Sequence, residues 1–244
     1  MSKEIAKDEK KEVGTPNYAS YYQDETSTVD SSDVAISSLI LLQGQSEYVT
    51  DYNLPAGAIA DREAKEVVAE LGKGIEVIPV GFNKTWMVTS EGDSGQYLTM
   101  LPFVPGKPYP NQGEWDGIPV NFFACIHAYV LIPNLGTIPY KVMFKSTSLK
   151  AGKQLLTESI VKNQMAKKPP FAYTMYIGSE RRKGKKASYF AFNAKRGREV
   201  PTTEYAQLDK WYHIVSKMVS EENKVLHKNE SERKEAAKRH AGDI

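Results

Sequence analysis

Several residue patterns that commonly mark an enzyme or a metalloprotein are missing from this chain. Cys125 is the only cysteine among 244 residues, which excludes an internal disulfide and a zinc site built from several thiolates. The four histidines do not have the spacing of metal ligands, and no GxGxxG, P-loop, HExxH or GxSxG motif occurs. The sequence therefore predicts no metal, no cofactor and no catalytic site, although two catalytic carboxylates far apart in the chain would leave no such motif.

Long hydrophobic runs are also missing. No apolar segment approaches the roughly 20 residues that a membrane-spanning helix needs. The amino-terminal segment MSKEIAKDEKKEV lacks the apolar stretch of a secretory signal. With a single cysteine, these features predict a soluble cytoplasmic protein without a membrane partner. The apolar fraction of 41% and the aromatic fraction of 10% are sufficient for a sizeable core.

Negative charge is nearly absent from one part of the chain, although the net charge of the whole is only +2. Residues 167–198 carry ten cations and one anion, Glu180, whereas residues 1–35 carry four cations and eight anions. The remaining segments are close to neutral. The positive field of the molecule therefore comes from one segment, and such a segment is typical of a surface that binds a polyanion.

The composition also divides the chain into three parts. Residues 1–33 are acidic, polar and poor in aliphatic side chains, which predicts a disordered arm. A single domain is expected over residues 34–220. Residues 221–244 carry charge on every face and are expected to form a charged helix or a tail.

Within the predicted domain, alternating apolar residues indicate mainly strands. A short element is expected over residues 34–43, and strands are expected over residues 75–88, 96–104, 120–133 and 138–146. Pro79 suggests an edge or a bulge in the first of these strands. We therefore expect a mainly β fold with α, in which a small antiparallel barrel is covered by capping helices.

Three segments carry helical signals. Residues 57–72 are rich in Ala, Glu and Lys and favour a helix, although the glycines at both ends also suit a β excursion. Residues 146–166 have helical spacing of their leucines and end before Pro169 and Pro170. A second helix is predicted from about residue 202 to residue 220.

The basic segment itself predicts a β-hairpin over residues 171–194. The alternation places six apolar or aromatic side chains towards the core, namely Phe171, Tyr173, Met175, Ile177, Phe190 and Phe192. It places Tyr176 and Tyr189 on the more polar face. The turn carries Arg181, Arg182, Lys183, Lys185 and Lys186, and the far end of the hairpin carries Lys195 and Arg196. Exposed tyrosines among cations favour single-stranded nucleic acid, and the alternative is an ordinary core hairpin with a solvated basic tip.

A second group of candidate residues lies on the predicted strands. Lys84 and Trp86 alternate on one strand face, although a tryptophan in a β protein is more often part of the core. Lys145 and Lys150 extend the basic surface around the junction FKSTSLKAG. His127 and Cys125 lie in the most apolar strand and are expected to be buried there.

Three stretches resemble bacteriophage single-stranded DNA-binding proteins: SSLILLQGQSEYV followed by a Gly-bounded segment and IEVIPVGFNKTWMV, then IPYKVMFKSTSLKAGKQLL, and PPFAYTMYIGSERRKGKKASYFAFNA followed by EYAQLDKWYHIV. The resemblance implies an OB-like barrel that coats single strands during phage DNA replication or recombination, with replication or recombination proteins as partners. It implies DNA contacts at the strand, junction and hairpin residues named above. Many such proteins end in an acidic tail, whereas this chain ends in EAAKRHAGDI.

The sequence thus favours a non-catalytic single-stranded DNA-binding protein. The alternatives are a phage structural or assembly protein, whose arm and terminal helix would contact other proteins, and a nucleic-acid enzyme with dispersed carboxylates.

Overall fold

A computed structural model describes residues 35–242 except 93–94, 134, 136–137 and 185–186, and the side chains of residues 234 and 236–242 are also left out. The predicted disordered arm, residues 1–33, lies outside the described residues. The strands are β1 (Ser38–Leu41), β2 (Ile59–Asp61), β3 (Glu66–Ala69), β4 (Ile75–Ser90), β5 (Tyr97–Pro102), β6 (Gln112–Trp115), β7 (Ile118–Leu131), β8 (Tyr140–Lys145), β9 (Tyr173–Lys183) and β10 (Ser188–Glu199). The α-helices are α1 (Glu47–Thr50), α2 (Leu149–Leu156), α3 (Lys162–Met165) and α4 (Tyr205–Gly242).

Two long strands, β4 and β7, form the centre of one mixed sheet. They pair with each other over most of their length, and the register shifts between Pro79 and Gly81, where the sequence suggested a bulge. β4 also pairs with β9 near its beginning and with β5 near its end. β7 also pairs with β6 near its beginning and with β8 further along. The prediction of a mainly β fold with helices is confirmed.

The sheet does not close into a barrel over the described residues. Its order is β10-β9-β4-β7-β8-β1-β2-β3, and β1 runs parallel to β8. The end of β1 nevertheless approaches β10, because the side-chain nitrogen of Gln43 donates to the carbonyl of Phe190 over 2.9 Å. The amide of Phe190 donates back to Oε1 of Gln43 over 3.1 Å. The expected closed antiparallel barrel is therefore wrong. The chain after β1 is joined to β10 by the side chain of Gln43 and not by a ladder of backbone hydrogen bonds.

Residues 57–72 form the hairpin of β2 and β3, so the predicted helix is wrong. The side chain of Asp61 accepts hydrogen bonds from the backbone amides of Glu63 and Ala64, which stabilises a turn at the end of β2. Lys65 then takes a φ of 57°, a left-handed conformation that interrupts any helix. Local turn chemistry and pairing with β1 therefore outweigh the helical propensity of the segment.

The helical segment over residues 146–166 is confirmed, and it covers one face of the sheet. It consists of a 3-10 turn, α2, a π-helical stretch over Thr157–Val161 and α3. Leu155 of α2 is fully buried in the main core with Phe144 of β8. A Cβ atom added to Gly152 would lie 2.7 Å from Phe144, so this helix approaches the sheet more closely than a larger residue would permit.

The long helix α4 covers the opposite face of the sheet. Val215 is fully buried and its Cγ1 atom would lie only 2.3 Å from a Cβ on Gly81, so the bulge in β4 seats the helix. The prediction that this helix stops near residue 220 is wrong, because α4 continues without a break to Gly242. Within the described part of the chain, no helix is long and apolar enough to cross a membrane.

Candidate nucleic-acid interface

The β9–β10 hairpin presents its two tyrosines on one face, as the alternation predicts. The register places Tyr176 opposite Lys195 and Tyr189 opposite Arg182, which are positions of the same face. Met175, Ile177 and Phe192 are buried on the other face. Of the remaining residues predicted to point inward, Phe171 is buried just before β9, whereas Tyr173 and Phe190 are only half-buried. Both face tyrosines are also half-buried, so each keeps part of its ring accessible.

The cations near the tip of the hairpin have different environments. Arg181 and Lys183 are exposed, and their side chains have no hydrogen-bond or ion-pair partner among the described residues. Arg182 is instead paired with Glu180 and donates from its Nη1 to the carbonyl of Thr147 over 3.5 Å. The predicted site residues Lys185 and Lys186 lie outside the described residues.

The far end of the hairpin is a separate surface. The Nζ atom of Lys195 lies 5.3 Å from the centre of the Tyr176 ring. Six residues of extended strand separate Tyr189 from Lys195, which corresponds to about 20 Å. The structure therefore does not bring Tyr176 and Lys195 to the basic tip.

Arg196 was predicted as a nucleic-acid contact, but its side chain is engaged within the fold. Its guanidinium lies 3.5 Å from the centre of the Tyr173 ring and donates to Oδ1 of Asn163 over 3.2 Å. It also pairs with Glu158. These contacts join β10 to the helical segment over residues 157–165. A guanidinium with a carboxylate, an amide and a ring as partners stabilises the fold, and the nucleic-acid contact at Arg196 stays a prediction.

The junction before α2 connects the tip of the hairpin to the helix. Arg182 reaches the carbonyl of Thr147, and the amide of Phe192 donates to Oγ of Ser148 over 3.0 Å. Lys145 and Lys150 flank this junction and are exposed. The Lys145 ammonium donates to the sulfur of Met87 over 3.6 Å. Both predicted lysines therefore lie beside the hairpin.

A groove continues this surface between α2 and the sheet. Lys84 of β4 and Lys153 of α2 both line it, together with Phe103 and the apolar side chains of α2, and its volume is about 460 Å³. The ammonium of Lys84 lies 5.3 Å from the centre of the Phe103 ring. Sequence reasoning identified Lys84 but missed Lys153 and Phe103. The helical spacing of Lys150 and Lys153 is a signal that could have found the former.

We call the exposed cations of the hairpin, the junction and the groove the basic track. Its members are Lys84, Lys145, Lys150, Lys153, Arg181 and Lys183. Lys145 lies opposite Cys125 in the sheet and contacts Met87, so it leaves β8 on the face away from the groove. Arg181 and Lys183 lie at the hairpin, which contacts the junction at Thr147. The track then follows α2 to the groove. Among the described residues, no carboxylate pairs with any member of the track.

Trp86, the remaining predicted site residue, belongs to the core. It is 8% exposed and packs against Phe103 and Tyr109, with ring centres 6.4 Å and 5.9 Å away. Its ring therefore forms part of the wall behind the groove and is not an exposed stacking platform. An exposed stacking role does not fit this burial, and a nucleic-acid contact at the groove wall stays a prediction for Trp86.

The chain matches no protein-family model, no curated protein and no solved structure. The interpretation of the site therefore depends on its geometry. The arrangement can attract a polyanion, because the positive charge of these cations is not neutralised by a paired carboxylate. Binding of the cations to phosphates also releases the counterions of the polyanion.

A polar cluster lies on the other face of the sheet, beneath α4. The carboxylate of Glu222 accepts hydrogen bonds from Asn83 over 3.0 Å, from Tyr129 over 3.2 Å and from Lys141 over 2.9 Å. Burial acts to raise the pKa of Glu222, but the hydrogen bonds from Lys141 and Asn83 outweigh it and hold that pKa below its usual value. This cluster attaches α4 to the sheet by charge-assisted bonds.

His127 and Cys125 are buried, as the sequence predicts. Nε2 of His127 lies 2.9 Å from Oγ1 of Thr85, and burial lowers the pKa of the ring to about 4, with the Lys141 charge adding to the shift. Burial also raises the pKa of the Cys125 thiol to about 11, which disfavours a reactive thiolate. Within the described ranges, no three His, Cys, Asp or Glu side chains are grouped as metal ligands would be.

Proposed function

We propose that this protein binds single-stranded DNA without catalysing a reaction, and that it serves phage DNA replication or recombination, as its resemblance to phage proteins implies. The observation that carries this proposal is the basic track. Six exposed cations lie on the hairpin, at the junction, on α2 and on β4, and two of them, Lys84 and Lys153, line a groove with an aromatic wall.

The cations of the basic track have no carboxylate partner among the described residues. Elsewhere, exposed lysines of this chain pair with neighbouring acids, as Lys73 does with Glu70 and Lys162 with Glu158. Unpaired cations that lie close together repel one another, so their arrangement favours an anionic ligand. A strand of phosphates satisfies several of them at once and releases its counterions on binding.

Two features favour a single strand over a duplex. The helix of the track, α2, has eight residues and packs against the core, so it is not a free recognition helix for a major groove. The groove and the half-buried Tyr189 near the tip offer apolar and aromatic surface, which stacks with unpaired bases but not with bases inside a duplex.

Removing the two free hairpin cations tests this proposal. The double variant Arg181→Ser with Lys183→Ser should keep its fold, because both side chains are exposed and unpartnered among the described residues. Its affinity for oligo-dT should fall, and the slope of log K against log salt should become shallower by about 1.4, since each lost phosphate contact contributes about 0.7. Fluorescence anisotropy at several salt concentrations measures both.

The matched control is Lys210→Ser with Lys217→Ser, which removes the same charge from exposed positions of α4. If the hairpin variant and the control bind with equal affinity and equal salt slope, the DNA does not follow the hairpin.

A further inference from the structure

The groove between α2 and the sheet follows from the side-chain sizes along β7. Along one face of β7 the residues are Phe122, Ala124 and Ile126, so a small side chain stands between two large ones. Ala124 pairs with Trp86 of β4, and it remains partly exposed although its strand is central. The missing volume above Ala124 opens the groove.

The groove has the size and lining of a small-ligand site. Its volume of about 460 Å³ lies within the range of such sites, about 300–1,000 Å³. Its walls are mostly apolar or aromatic, with Trp86 and Phe103 on one side and Leu149 and Leu156 of α2 on the other. A flat, apolar group is therefore the chemical class that fits the interior.

The charged residues of the groove indicate that the flat group of the ligand carries negatively charged substituents. The charged residues lining it are Lys84 and Lys153, which come from opposite walls, and no acidic residue lines it. Neither lysine has a carboxylate partner within the described part of the chain. A ligand with an apolar plane and negative charge on both sides of it is a nucleotide within a strand.

We propose that this groove holds one unstacked base of the bound single strand, and that Lys84 and Lys153 contact the phosphates on either side of it. This inference rests on the proposed function and adds the position at which a base binds. The base enters above Ala124 and beside the Phe103 ring, and the backbone continues along α2 towards the hairpin.

Filling the groove tests the inference without altering any charge. In the variant Ala124→Leu, the larger side chain occupies the space of the base. Affinities of wild type and variant are measured for oligo-dT and for an abasic deoxyribose-phosphate strand of the same length. Because one base stack corresponds to about a five- to hundredfold change in affinity, the variant should bind oligo-dT weaker by such a factor and the abasic strand with unchanged affinity.

Two further variants keep the test decisive. Ala206→Leu makes the same change at an exposed position of α4 and should affect neither strand. Phe103→Leu removes one of the two aromatic rings while the groove stays apolar, so it should weaken oligo-dT selectively even if Ala124→Leu does not fold. An equal effect on both strands, or no effect on oligo-dT in a folded variant, overturns the inference. If wild type binds neither strand at low salt, the proposed function itself fails.

Discussion

At the residue scale, the clearest consequence of the fold concerns His127. Its ring is 4% exposed, bonded to Thr85 and close to the ammonium of Lys141. Nδ1 of the ring has no hydrogen-bond partner among the described residues. Protonation would therefore place a charge in a buried position beside Lys141. The Glu222 carboxylate offsets this only in part, so the folded state resists protonation.

This resistance predicts a loss of stability in mild acid. The unfolded chain binds a proton at His127 below a pKa of about 6.5, whereas the folded chain does so only near 4, so the free energy of unfolding falls as pH falls through this window. Between about pH 7 and pH 4.5 the contribution amounts to about 2 kcal/mol. Urea unfolding at both pH values measures it.

The control is His127→Gln, which cannot titrate. Its free energy of unfolding should change less with pH than that of wild type by about that amount. Identical pH dependence of the two proteins would show that His127 is protonated equally in the folded and unfolded chains.

At the element scale, α4 is held by contacts that its sequence does not reveal. The sequence predicts that the charged residues beyond position 220 are solvated. Glu222 instead accepts hydrogen bonds from three side chains of the sheet, and Glu230 accepts one from Tyr109 over 2.7 Å. Arg233 stacks 3.3 Å from the centre of the Trp115 ring. An apolar stripe predicts helix burial, but polar anchoring depends on partners far away in the chain.

Truncation tests this anchoring. A chain that ends after Ser220 loses the bonds of Glu222, Glu230 and Arg233, and Lys141 and Asn83 lose their acceptor. We expect a loss of about 2–3 kcal/mol and a lower Tm by about 5–10 °C in a thermal melt. A chain that ends after Glu235 keeps these contacts and serves as the control. Equal Tm values for the two truncations would mean that the second half of α4 adds no stability.

Other elements differ in how far the sequence predicts them. Alternation predicts the long strands and the β9–β10 hairpin because a two-residue period is a local property. The hairpin of β2 and β3 was misjudged because the bonds of Asp61 and the pairing with β1 override propensity. The prediction of a closed barrel was wrong because closure depends on how β10 meets a segment far away in the chain. There the side chain of Gln43 bonds to Phe190 in place of a backbone ladder.

At the scale of the whole molecule, the members of the basic track show why the charge distribution along the sequence did not identify the whole candidate site. The sequence identifies the basic hairpin and Lys84 separately, about 100 residues apart in the chain. Only the packing of α2 between them shows that Lys153 and Lys84 line one groove. Packing likewise buries Trp86 against Phe103 and Tyr109 and gives Arg196 partners within the fold, which the sequence does not reveal.

One titration tests the central claim most directly. A labelled oligo-dT of about 30 nucleotides and a duplex of equal length are titrated with the protein at about 50 mM and about 200 mM salt, and anisotropy is recorded. If each of the six track cations contacts a phosphate, log K for the single strand should fall with log salt at a slope near −4, and the duplex should bind more weakly. Undetectable binding at the lower salt, binding that ignores salt, or equal affinity for the duplex would contradict the account.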